Sequence, residues 1–124
     1  MSDAASPGPF EQHFLHPQGQ GSLADATHAA TATDPACGDE LALDLRVADG
    51  VIEAARFRVR GCSGAIAAGS ALVTLLPGRP ARPDALTREA LDAELGGVPA
   101  SKRHVLRLAA RVLAQALQGS SSIT

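Results

Sequence analysis

The apolar positions of this chain fall into two periods, and the period of two is the more regular. In LALDLRV, Leu41, Leu43, Leu45 and Val47 lie on one face of a strand. In VIEAARFRVR, Val51, Ala55, Phe57 and Val59 share one face, and Arg56, Arg58 and Arg60 share the other. Ala48-Asp49-Gly50 between them is a turn signal, so the two runs predict a hairpin. A two-residue Asp-Gly loop would set Leu43 against Arg56 and Leu41 against Arg58, mixing the faces. A three-residue loop with Gly50 left-handed sets Leu43 against Ala55 and Leu41 against Phe57, and this register is expected. It places Cys37 opposite Gly61 and Cys62 opposite Ala36, so the two thiols become diagonal neighbours if pairing persists to the end of the ladder.

The helical period governs much of the rest. PFEQHFLH predicts a short helix with Phe10 and Phe14 on one face, broken by HPQGQGS. THAATATD is small and Thr-rich and reads as an edge strand. After the hairpin, a helix is expected from Ser63 to about Leu76, stopped by Pro77-Gly78. Its small residues, Ala65, Ala67, Ala68, Gly69 and Ala71, suit close approach to another backbone. A shorter helix runs from about Thr87 to Leu95 and stops at Gly96-Gly97. A last helix has Ser101 as N-cap, with Val105, Leu108, Ala109, Val112 and Ala116 as its buried stripe and Arg103, Arg107 and Arg111 on its wet face. Residues 9–118 are expected to form one domain between a disordered tail, 1–8, and a flexible one, 119–124.

Length and composition narrow the function classes. At 124 residues and 45% hydrophobic the chain can bury one core, and with 2% aromatics that core is aliphatic. A net charge of -2 gives no sign of a nucleic-acid or anionic-membrane partner. No run approaches the roughly 20 apolar residues of a membrane span. The start, MSDAASPGPF, lacks the basic and apolar regions of a signal peptide, so a cytoplasmic protein is expected. In that compartment the two cysteines are free thiols or metal ligands rather than a structural disulfide.

Candidate chemistry gathers at those thiols. Cys62 precedes the first turn of a helix, where the partial positive charge favours the thiolate that binds metal or attacks. In extended geometry Cys37 and Asp39 point to the same side. His104 lies in the first turn of the last helix, where the dipole favours the neutral imidazole that binds metal. Each residue also has a plainer reading: a cysteine as a small buried hydrophobe, Asp39 as a turn or cap residue, His104 as a satisfied surface group. No thioredoxin-like pattern accompanies the thiols to suggest a redox enzyme. GCSGAIAAGS lacks the Lys-Ser/Thr of a phosphate loop.

Together these residues resemble a known family. ACGDELALDLRVADGVIEAARFRVRGCSGAIAAGSALV is similar to the core of the NifU/IscU-type iron–sulfur cluster assembly scaffolds. Those proteins carry a Cys-Gly-Asp ahead of a strand, an Asp-Gly-x-Ile turn and a Gly-Cys opening a small-residue helix. HFLHPQGQGSLADAT upstream and LGGVPASKRH downstream extend the likeness over residues 10 to 118, and Lys102, the only lysine, falls on the family's lysine. The resemblance implies an α+β fold, a small antiparallel three-stranded sheet packed against helices. It also implies a non-enzymatic scaffold or carrier that binds iron or a [2Fe–2S] cluster and transfers it to apoproteins.

Carried over residue by residue, the cluster-binding set is Cys37, Asp39, Cys62 and His104. The family's third cysteine, a ligand that also receives sulfur from a cysteine desulfurase, corresponds to Val105. The chaperone-recognition segment becomes Val98-Pro99-Ala100-Ser101-Lys102, a departure that argues against handover through that chaperone. The alternative expectation is a degenerate paralogue, zinc-binding or metal-free, serving as an interaction or regulatory protein.

Overall fold

The computed structural model describes residues 8–121. Its elements run α1 (Pro9–Leu15), β1 (His28–Thr33), β2 (Glu40–Ala48), β3 (Val51–Arg60), α2 (Ser63–Leu75), α3 (Arg88–Glu94), a 3-10 turn (Ala100–Lys102) and α4 (His104–Ser121). The three strands form one antiparallel sheet in the order β1-β2-β3. The α+β expectation therefore holds, and THAATATD supplies the edge strand β1. Residues 1–7 and 122–124 of the two expected tails lie outside the described residues, while α4 runs on to Ser121.

Leu41, Leu43 and Leu45 of β2 and Ala55 and Phe57 of β3 point into the core, each 2% exposed or less. Helix α4 lies over β1 and β2 and α2 over β3, so one face of the sheet is covered. Val105, Leu108, Ala109, Val112 and Ala116 of α4 are all buried, joined by Leu106, Leu113 and Leu117. Gly69 is what lets α2 approach the sheet: a Cβ there would overlap the ring of Phe57.

The hairpin register differs from the expected one. Asp49 (φ 54°) and Gly50 (φ 74°) both take the left-handed conformation, forming a two-residue loop that pairs Ala48 with Val51 and Val47 with Ile52. The ladder then shifts between Val47 and Arg46: Arg46 pairs with Ala54 and Glu53 is skipped. This bulge restores the separation of faces that a two-residue loop alone would lose, setting Leu43 against Phe57 and Leu41 against Val59. It also reverses the facing of the first β3 residues. Val51, expected inside, is 39% exposed, and Ile52 is wholly buried in its place. Pairing ends at Glu40–Arg60, so neither thiol has the cross-strand partner expected of it.

Two smaller differences concern helix starts. Ser101 lies within the 3-10 turn rather than capping α4, which begins at His104; Pro99 opens that turn, its carbonyl accepting the Lys102 N–H at 2.8 Å. His13, which carried no sequence signal, fastens α1 to the body. Its Nδ1 lies 2.7 Å from Ser70 Oγ, and its Nε2 3.0 Å from Glu94 Oε2.

Candidate metal centre

Thr33 pairs with Glu40, so residues 34–39 form the β1–β2 connection, at the end of the sheet where β3 also finishes. Asp34 organises this loop. Its Oδ1 accepts the N–H groups of Ala36 (2.9 Å) and Cys37 (3.4 Å), and its carbonyl accepts that of Gly38 at 2.7 Å. The Asp34 N–H closes the loop on the Asp39 carbonyl at 2.8 Å. Gly38 adopts φ 76°, left-handed, and turns the chain between Cys37 and Asp39. The two therefore do not share one side, as extended geometry would have it. Cys37 is exposed at the loop's rim, whereas Asp39 is 4% exposed.

Cys62 is the N-cap residue of α2, and Gly61 before it lets the chain pass close to Asp39. A Cβ on Gly61 would collide with that carboxylate. Asp39 Oδ1 accepts the Cys62 N–H and Oδ2 accepts its thiol, each at 3.2 Å. The first residue of α4 completes the group: His104 Nε2 lies 3.4 Å from Asp39 Oδ2. Burial pushes the Asp39 carboxyl up. The thiol and amide of Cys62, then His104, pull it further down, and it ends below its ordinary value.

One ligand atom from each of Asp39, Cys62 and His104 lies within 4.8 Å of the others. Cys37 does not join that trio. It forms a second one, of the same span, with Asp34 and His104, so the imidazole belongs to both. The thiol of Cys37, though exposed, is raised above its ordinary value, first by the partial desolvation its neighbours impose, then by the negative charges of Asp34, Asp39 and Cys62, with Lys102 opposing them. Asp34 was missed in the sequence, where it stood only as the last residue of the expected edge strand THAATATD.

Val105 stands beside this centre, fully buried. Its Cγ1 lies 3.3 Å, and Cys62 Sγ 3.5 Å, from the point a Cβ on Gly64 would occupy. Lys102 Cδ is 3.3 Å from the same point. Thiolates, an imidazole and carboxylates at this spacing fit iron or zinc, both of which accept mixed sulfur, nitrogen and oxygen donors.

Comparison with known proteins agrees with this architecture. The family described as NifU-like N terminal domain matches residues 10–122. The chain is 37% identical over 109 residues to the iron-sulfur cluster assembly scaffold protein IscU of Aquifex aeolicus, covering 86% of this chain and 69% of that one. It is 36% identical over 107 residues to the scaffold protein IscU 1 of Archaeoglobus fulgidus, covering 85% and 69%. The crystal structure of a nitrogen-fixing NifU-like protein (N-terminal) from Brucella abortus superposes with a TM-score of 0.80 at 17% identity, over 95% of each chain, a likeness of fold. With the matched region spanning nearly all described residues, the chain belongs to the family of NifU-like N-terminal domains.

Proposed function

We propose that this protein is an iron–sulfur cluster assembly scaffold or carrier. Iron or a [2Fe–2S] cluster is its cargo, held by Cys37, Cys62, His104 and Asp39 and passed to apoproteins. The observation that carries this reading is one imidazole shared by two thiol–carboxylate pairs, Cys37 with Asp34 and Cys62 with Asp39, where the β1–β2 loop, the N-terminus of α2 and the N-terminus of α4 converge. The scaffold names of the relatives support it.

The chain's own groups have separable tasks in this role. Cys37, exposed, is the thiol an incoming sulfur donor or a receiving apoprotein can reach. Cys62 is held from both sides by Asp39, which also orients His104. A cysteine desulfurase as sulfur source and apoproteins as acceptors are the partners this implies, and the cytoplasm is the compartment. Nothing in the arrangement calls for catalytic turnover: the residues bind and release. No described helix is long and apolar enough to cross a membrane.

Anaerobic reconstitution with iron and sulfide tests the reading. Charge-transfer absorbance with near-equal iron and acid-labile sulfide is expected, and Cys37→Ser or Cys62→Ser should abolish it. Retained cluster in both single variants would overturn the ligand assignment. A second reading, a zinc-binding paralogue, draws on one observation: Val105 puts an inert, buried side chain at the family's third-thiolate position. Zinc bound after purification, with no cluster on reconstitution, would favour it.

A further inference from the structure

Val105 leaves the centre one donor short of the family pattern, and a residue outside that pattern stands ready next to Cys37. Asp34 is 9% exposed and held in place by the loop it organises. Only its Oδ1 is engaged in that work; Oδ2 makes no hydrogen bond or ion pair among the described residues. A carboxylate with one oxygen fixed by backbone N–H groups and the other free is an oriented ligand. Asp39 is in the opposite condition, since Oδ1 serves the Cys62 amide and Oδ2 serves both the Cys62 thiol and His104.

The donors thus sort into two pairs around one imidazole. Asp34 and Cys37 make one pair with His104, and Asp39 and Cys62 make the other. A cleft lined by Asp34, Pro35, Ala36, His104 and Arg107 opens beside Asp34. Arg107 makes no hydrogen bond or ion pair among the described residues, so its positive charge is available to offset metal held by anionic ligands.

We propose that Asp34 is a further metal ligand of this centre, coordinating with Cys37 in place of the thiolate that Val105 cannot supply. The inference rests on the reading that these thiols bind metal. Two irons of a [2Fe–2S] cargo need two protein donors each, and one thiolate with one carboxylate or imidazole on either side meets that count. Carboxylate is a harder ligand than thiolate and holds iron less firmly, so the Asp34 end, beside the cleft, becomes the side from which cargo leaves.

The test is a Co²⁺ titration of the full reduced chain, following the thiolate-to-cobalt charge-transfer band and using a competing chelator to measure affinity. Asp34→Asn keeps an oxygen for the two backbone N–H groups and removes the anionic ligand. It should weaken Co²⁺ binding by about tenfold or more, as even the loss of outer-shell partners commonly does, without lowering the melting temperature. Asp34→Cys, independent of that loss, should strengthen the charge-transfer band by adding a third thiolate. If Asp34→Asn binds Co²⁺ as tightly as the wild type and Asp34→Cys leaves the band unchanged, Asp34 is a turn residue only, and the proposal falls while the thiol centre stands. If the wild type itself gives no thiolate-to-cobalt band, the metal-binding reading falls, and this one with it.

Discussion

Asp39 grips Cys62 at two points, with Oδ1 on the backbone N–H and Oδ2 on the thiol, both at 3.2 Å. The residue just ahead of β2 is thereby tied to the N-cap of α2, and its bond to His104 brings in the start of α4. The three chain segments of the centre are thus held by one buried carboxylate.

Replacing that carboxylate should cost stability as well as metal binding. Asp39→Ala leaves the half-buried Cys62 amide without its acceptor, a loss of about 1–3 kcal/mol. Urea denaturation of the metal-free protein at neutral pH measures it. An unchanged midpoint would mean that water satisfies the amide at no cost.

Acid should remove the same contribution. The Asp39 carboxyl lies below its ordinary value of 3.8 in the folded protein, so the folded state favours the charged form. The stability this supplies is present above the unfolded value and is lost as pH falls through the folded one. Relative to Asp39→Asn, the wild type should therefore keep a constant margin at neutral pH and lose it as pH drops below 3.8. A margin that persists into stronger acid would contradict this.

Cys37 should react more slowly than its exposure suggests, because its thiol is raised above the ordinary 9.0. Asp34→Asn, removing one of the negative charges responsible, should bring iodoacetamide labelling at a given alkaline pH forward, and Lys102→Met should delay it. Peptide mass spectrometry of labelling rate against pH reads both. Two profiles identical to the wild type would show that these charges do not reach the thiol.

Val105→Cys should improve cluster retention. The Val105 methyl group and Cys62 Sγ flank the same point over Gly64, 3.3 and 3.5 Å away, so a thiol there would join the centre. The lost methyl group should cost about 1 kcal/mol of stability. The decay of the reconstituted chromophore under air measures the gain. A lifetime no longer than that of the wild type would show that position 105 faces the core and not the cargo.

Gly69→Ala should destabilise the fold away from the centre. The added methyl meets ring atoms of Phe57, with Cε2 at 2.7 Å and Cγ at 2.9 Å, so α2 must lift from β3. Overpacking of this kind costs about 1–3 kcal/mol. A thermal melt followed by circular dichroism should move down, and an unchanged melting temperature would mean that the ring swings aside freely.

The alternating leucines of β2, the small-residue run of α2 and the stripe of α4 were legible in the chain because each records the local period of one element against one buried face. Of the donors that the family pattern named, Asp39, Cys62 and His104 stand together, while Cys37 stands with Asp34 and His104. What local patterns could not carry were relations between elements. The bulge at Glu53 depends on how two strands share a turn, and only the paired ladder shows that an Asp49-Gly50 loop and separated faces are compatible. Residues 34–39 read as an approach to a strand, yet side-chain bonds to Asp34 curl them into a loop that parts Cys37 from Asp39. Sequence alone determined which donors this protein has; tertiary packing decided which stand together, because the spacing of side chains from three segments is set by backbone contacts far apart in the chain.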